Sequence, residues 1–282
     1  TTANVLTGAA SFNHDNIFDD VDITVIRYPQ NFIGDVIGSR QVAKVPAVIQ
    51  WKEQVAGGDG LPAVVAEGDA KPLTSDAFVW KYSYRKKYAG RIELTEEVEI
   101  DFEQLVLDII TMFEEKVLRE YNKGLLADIL AWAPVYAGTA LDDLIVKPTL
   151  QNVVNAGKLQ LALNEYAPDT LIVNPADYAE VQNMQDTLGN PIFVADSVLF
   201  PGIRVIVTSA MTAGTCLLME GGIIKEQHGS FILRSGTYGN QLIENERTII
   251  GELFSNMKLP TESKKGVVKL VIATVKAALL KP

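Results

Sequence analysis

The residues able to do chemistry in this chain are few, and their spacing is poor. There are two histidines, His14 and His228, and one cysteine, Cys216. Neither histidine has another His or Cys at ligand spacing, and HExxH and CxxC are absent, so zinc or other transition-metal chemistry has no support. Cys216 lies in the apolar run GTCLLM and reads as a buried thiol rather than a nucleophile. A single cysteine also rules out a disulfide within these residues. The acidic cluster Glu93, Glu96, Glu97, Glu99 and Asp101 lacks calcium-loop spacing. It reads better as negative charge placed before and within the first turn of a helix, where the helix dipole favours it. The glycine pairs in AGGDG (56–60) and MEGGII (219–224) match no phosphate-binding loop and read as turns. No GxSxG elbow presents a serine. No catalytic constellation, cofactor or metal site emerges.

The basic run RKKYAGR (85–91) is the remaining candidate, since four cations and a tyrosine are able to hold phosphate. It is strand-like, however, and lies next to the acidic LTEEVEID, which suggests ion pairing within one chain or between chains. A net charge of -10 and a pI near 4.8 argue against a protein whose affinity rests on nucleic-acid phosphates. No run reaches the ~18 consecutive apolar residues of a membrane span.

The elements around these residues are more informative. Residues 1–20 have weak periodicity and read as an extended arm. A first core segment follows in VDITVIRYPQNFIGDVIGS. Two strand-like runs, KVPAVIQW and VWKYSYRKKYAGRIEL, flank the breaker-rich AEGDAKPLTSDAF (66–78), so the region reads as a long ribbon. In its return arm Trp80, Tyr82, Tyr84, Lys86 and Tyr88 alternate with Val79, Lys81, Ser83, Arg85 and Lys87. From Phe102 to Ile129, apolar residues recur every three or four positions after a capping-box-like Asp101 and Gln104. That predicts a helix of roughly 45–50 Å, with Pro134 beyond its end and a kink expected at Gly124. Further on, Leu150–Tyr166 reads as a helix and Thr170–Asn174 as a buried strand. Asn174 and Pro175 then open a second helix. GIRVIVTSAM, GTCLLMEGGIIKE and SFILRSGTYG read as strands, ELFSNMKL as a helix-like turn, and GVVKLVIATVKA as a long strand. A two-stranded ribbon is marginal alone in water. The ribbon, the arm and the apolar C-terminal strand each need a partner, and with no catalytic site they point to a protein completed by copies of itself.

The stretch EGDAKPLTSDAFVWKYSYRKKYAGRIELTEEVEIDFEQLVLDIITMFEEKVLREYN resembles the signature region of tailed-bacteriophage major capsid proteins. LIVNPADYAEVQNMQDTLGNPIF and LFPGIRVIVTSAMTAGTCLLMEGG resemble the family's later segments, and the likeness covers about residues 50–282. It implies an α+β chain with the Hong Kong 97 capsid fold. The implied layout is an N-terminal arm (1–20), a lead into the peripheral domain (21–48), an extended loop (49–91), a peripheral domain with a long spine helix (92–148), an axial domain (149–252) and a return strand (253–282, strand Val267–Lys276). The implied function is structural and not enzymatic: hexamers and pentamers forming an icosahedral head around double-stranded DNA, bound without sequence specificity. Portal, scaffold or protease, and decoration proteins are the implied further partners. The implied location is the virion, assembled in the bacterial host cytoplasm. An encapsulin-type nanocompartment shell is the alternative.

The resemblance also implies site residues. Glu67, Lys71, Arg85, Lys86 and Lys87 become inter-subunit contacts. Some members form Lys–Asn isopeptide bonds aided by a Glu. Here Asn256 lies in a matching context, with Lys71 as its partner and Glu262 nearby. The Glu is not at the family spacing, so non-covalent burial is the expectation. Many members lose an N-terminal scaffolding region, a reading that a start at Thr1 fits as well as cloning does.

Overall fold

Our computed structural model describes residues 5–6, 33–55, 64–65, 67, 70–71, 77–96, 103–183 and 200–282, with backbone alone at 5–6, 55, 77 and 103–105. The arm beyond Val5 and Leu6, the AGGDG turn, most of the 66–78 excursion and the Asp101 cap lie outside these residues.

The larger sheet is built on one long strand. β1 (Val5–Leu6), β2 (Gly38–Gln41), β5 (Lys86–Thr95), β9 (Lys225–His228), β10 (Ile232–Gly236) and β11 (Glu246–Lys258) form it, in the order β1-β5-β11-β9-β2 with β10 also on β11. β11 pairs antiparallel with β5 from Glu246 to Ser255. Its other edge meets β10 from Thr248 to Glu252 and β9 from Ser255 to Lys258. The helix-like turn expected in ELFSNMKL is therefore the C-terminal half of this strand. Leu253, Ser255 and Met257 all point to the buried side, a period of two that overrides the short segment's ambiguity. The boundary expected at residue 252 falls inside β11.

A second sheet orders β12 (Val267–Val271), β8 (Thr215–Met219), β6 (Thr170–Val173) and β7 (Arg204–Val207). The strand expected over Val267–Lys276 stops at Val271. Ile272–Leu279 is a helix, in which Ile272, Val275 and Leu279 are buried at helical spacing. β12 pairs with β8 rather than with the larger sheet. Leu150–Ala162 forms a helix capped by Thr149, which exchanges hydrogen bonds with Asn152; it ends four residues short of the expected Tyr166. Pro175–Gln182 forms the next, capped by Asn174 as its sequence predicts.

The long helix α1 (Glu103–Trp132) crosses the larger sheet. Ile109, Phe113, Val117, Tyr121, Leu125 and Ile129 recur every fourth residue, and all are buried. Its 30 residues give a rod about 45 Å long. Two glycine sites set how close it lies. Gly90 and Gly251 face each other across β5 and β11, and a Cβ on either would stand 2.7 Å from the Phe113 ring. The ring therefore sits where two side chains would otherwise be. At Gly124 a Cβ would stand 2.5 Å from the Tyr88 hydroxyl and 2.6 Å from a ring carbon. The helix is unbroken at Gly124, and the residue makes room for Tyr88.

These two explanations of Gly124 predict opposite signs. Gly124→Ala adds about 1 kcal/mol of helix propensity if nothing touches the site. Because the Tyr88 ring occupies that space, and packs edge-on against Tyr121 at 5.6 Å, we expect a loss of about 1–3 kcal/mol. Urea denaturation of the two proteins decides; a more stable alanine variant would refute the close contact.

Candidate interaction surface

Among the described residues the strands β3 (Val48–Val55) and β4 (Ala77–Tyr84) pair only with each other, from Val48↔Tyr84 to Val55↔Ala77. Alternation gives this ribbon two unlike faces. On one, Trp51 lies under Lys258, whose ammonium is 5.4 Å from the ring centre, and donates its indole N–H to Glu53 at 2.7 Å. Glu53 is buried and accepts the Thr261 backbone N–H at 2.9 Å. Ser83, on the same face, has its Oγ 2.7 Å from Asn256 Oδ1 and 2.6 Å from the Met257 carbonyl. That face fastens the ribbon to the end of β11.

The opposite face is a stripe of four aromatic side chains. Phe78, Trp80, Tyr82 and Tyr84 are 49–72% exposed, beside an exposed Val48. Within the chain the stripe is touched by Lys52, 4.7 Å from the Trp80 ring centre, and by Gln50 at 3.5 Å from the Tyr82 hydroxyl. An aromatic row of this kind on a two-stranded ribbon has the composition of an interface core and not of a solvated surface.

The basic run at the ribbon's base has partners within the chain. Arg85 donates to the Val45 carbonyl at 3.2 Å and lies over Phe254 at 4.6 Å. Lys86 pairs with Asp128 at 2.6 Å, and Lys87 pairs with Glu252. The acids that Lys86 and Lys87 find are thus on α1 and β11, while Arg91 meets Glu93 on its own strand. Glu67 and Lys71 are exposed. Asn256 is buried, and its amide N–H donates to the carbonyls of Pro46 and Ser83 at 3.2 and 3.3 Å. Glu262 pairs with Lys265 at 2.7 Å. The structure thus commits Asn256 and Glu262 to separate local roles.

Glu226, unremarked in the sequence, holds a dense polar cluster. Its buried carboxylate accepts from Tyr121 (3.0 Å), Ser255 (2.6 Å) and Ser39 (2.5 Å), and His228 Nδ1 lies at 3.1 Å. Ser39 Oγ is also 3.0 Å from that same Nδ1. A nucleophilic triad needs the imidazole between serine and acid, one nitrogen to each. Here both meet one nitrogen and the serine also bonds the acid directly, so the cluster lacks the triad arrangement and ties β2, α1, β9 and β11 together. Burial and the adjacent Glu226 push the Tyr121 phenol far up. Burial, helped by Asp177, pushes the Cys216 thiol up to about 12, as its apolar setting implies. MEGGII is a turn as expected, with Gly222 at φ +78. Among the described residues no group of acids, histidines or cysteines is placed to hold a metal ion, and no helix is long and apolar enough to cross a membrane.

The sequence displayed the aromatic alternation of β4. It also held a signal for Glu53 that went unread, because Ile49, Trp51 and Glu53 share a strand face. Ser39, Tyr121, Glu226 and Ser255 converge from four elements, and no local spacing announces them.

Glu53 gives the ribbon an acid dependence. Burial alone would raise its pKa, but hydrogen bonds from Thr261 and Trp51 and the charge of Lys81 outweigh it and hold the carboxyl below its ordinary value of 4.5. The stabilisation is present above that value and is lost as pH falls through the lowered one. On titration from pH 4.5 downward, we expect amide exchange in β3 and β4 to accelerate in the wild type. Glu53→Gln keeps the acceptor oxygen without the ionisation and should lack this step; superimposable titrations would remove Glu53 as the anchor.

A family model described as phage capsid protein matches residues 81–234, more than half of the chain. The chain is similar to a solved structure from Mycobacterium phage Bobi at 15% identity and a TM-score of 0.65, over 90% of this chain and 95% of that one. It is similar to one from Mycobacterium phage Adephagia at 14% identity and a TM-score of 0.61, over 84% and 88%. A virus-like particle from Pyrococcus furiosus matches at 12% identity and a TM-score of 0.59, over 85% and 92%. No curated protein matches the chain.

Proposed function

We propose that this chain, which belongs to the phage capsid protein family, is the major subunit of a phage head, assembling as hexamers and pentamers into an icosahedral shell around double-stranded DNA. Its α+β fold is the Hong Kong 97 type of capsid protein. The observation that carries the proposal is the uncovered stripe Phe78, Trp80, Tyr82 and Tyr84. An eight-residue strand pair reaches about 26 Å, and one of its faces is already fastened to its own chain. The other is left for a neighbour.

In this reading residues 49–91 are the extended loop and α1 is the spine of the peripheral domain. The sheet holding β6, β7 and β8 belongs to the axial domain, and residues 1–20 are the arm. Glu67 and Lys71, exposed beyond the ribbon's paired strands, meet the neighbouring copy. Arg85, Lys86 and Lys87 hold the ribbon's base at its angle. A net charge of -10 and the lack of a base-reading motif suit DNA enclosed without sequence recognition. Portal, scaffold or protease, and decoration proteins complete the virion, built in the host cytoplasm. The role is structural, without catalysis.

Burying half-exposed rings is worth about 1 kcal/mol each before association costs. Sedimentation velocity and negative-stain microscopy of the purified protein should show closed shells, or pentamers and hexamers. Trp80→Ala with Tyr82→Ala should raise the subunit concentration needed for assembly about tenfold or more, with the monomer's melting temperature little changed. A protein that stays monomeric under every assembly condition would overturn the reading. The likeness to the Pyrococcus furiosus particle favours a second reading, an encapsulin-type compartment shell. Small particles without nucleic acid would select it.

A further inference from the structure

The larger sheet has one face against α1, and its other face carries a feature that neither the fold nor the ribbon's attachment uses. Ile250 on β11 is paired on one side with Arg91 of β5 and on the other with Arg234 of β10. Residues directly opposite share a face, so an isoleucine lies between two guanidinium groups. The neighbouring Gly90–Gly251 pair and Ile249 point the other way, towards α1. Arg91, Arg234, Ser235, Thr237, Tyr238 and Ile250 are among the residues that line a pocket of about 300 Å3.

The two arginines differ in what holds them. Arg91 donates to the Tyr238 hydroxyl at 3.1 Å and stacks over its ring at 5.6 Å. That hydroxyl in turn donates to Glu93 at 3.3 Å, and Glu93 lies 3.7 Å from the Arg91 guanidinium. Arg91 is thus oriented and partly neutralised. Arg234 is exposed, and among the described residues its strand is paired on one side only and the guanidinium has no ion-pair partner. The pocket therefore keeps positive charge, planar donors and hydroxyl groups around an apolar floor. This donor set fits a carboxylate, which a guanidinium binds through two parallel N–H bonds.

We propose that the pocket is a carboxylate seat completed by a second copy of this chain, whose β3–β4 connection supplies the acid. This rests on the shell reading above and names the chemistry of one of its contacts. Charge complementarity selects the occupant. In a chain of net charge -10, residues 56–76 hold four acids, Asp59, Glu67, Asp69 and Asp76, against one lysine, Lys71. Glu67 is exposed beyond the paired strands. The aromatic stripe supplies area, and the carboxylate between Arg91 and Arg234 supplies register, because a bidentate pair is directional where apolar contact is not.

The test is a charge swap in the full chain. Arg234→Glu alone, and Glu67→Lys with Asp69→Lys and Asp76→Lys alone, should each raise the subunit concentration needed for assembly about tenfold or more. Combining the two sets should restore assembly towards the wild-type value. Monomer melting curves show whether each variant folds, and Arg234→Gln supplies a neutral variant if the glutamate one does not. A wild type that fails to assemble removes the shell reading itself. If the wild type assembles and the Arg234 variants match it, this inference alone is overturned. Loss that the reversed connection does not repair overturns the occupant. Intact assembly with less enclosed nucleic acid would instead make the pocket a phosphate site.

Discussion

Everything outward-facing in this molecule depends on how closely one helix lies on one sheet. Phe113 enters the gap between Gly90 and Gly251, and Tyr88 lies against the helix at Gly124. The two contacts fix the same strand, because Gly90 and Tyr88 both belong to β5. Once β5 is held, β11 is held through ten paired residues. The ribbon, which continues from β5 through the single residue Arg85, then leaves the body at a set angle. A core of leucines alone would not transmit direction in this way. Rings filling glycine-sized gaps leave few alternative packings, and close-packed interiors shift between discrete arrangements more readily than they bend.

The base of the ribbon repeats that logic with polar groups. Asn256 is buried and bonded to Ser83 and Pro46, so both approaches to the ribbon are tied to one amide. Glu53 gathers Trp51 and Thr261. Arg85, Lys86 and Lys87 reach the loop before β3, α1 and β11 of their own chain. An unpartnered acid or amide at these depths would cost more than its bond returns. These groups consequently act as latches within their own chain.

The sequence made local periodicity legible and hid long-range convergence. α1 was readable because its apolar residues recur from Phe102 to Ile129, far beyond what chance spacing sustains. Asn174 and Pro175 were readable because a cap is chemistry between adjacent residues. ELFSNMKL and the second half of GVVKLVIATVKA were misread for one reason: a short apolar run fits periods of both two and 3.6. In each case a distant neighbour decided. β5 and β9 draw the first into a strand, while the second turns helical to bury Ile272, Val275 and Leu279. Of the interaction surface, the alternation of Trp80, Tyr82 and Tyr84 was visible. Which face would be covered was not, since that depends on Thr261, Asn256 and Lys258, all some two hundred residues away.

The two faces of the ribbon also divide the physical work. Its fastened face uses hydrogen bonds and buried charge, interactions that weaken steeply with misalignment. Its exposed face uses aromatic area, which loses little when a partner rotates by a few degrees, because burial is non-directional. On the proposed shell reading, in which the subunit meets copies of itself in more than one setting, this separation is useful. The inner contacts keep the ribbon rigid enough to present the stripe, and the stripe tolerates variation in what it meets. Had the polar groups been on the outer face, each change of setting would strand donors and acceptors away from water. The observed arrangement keeps the buried hydrogen bonds of the fastened face within one chain.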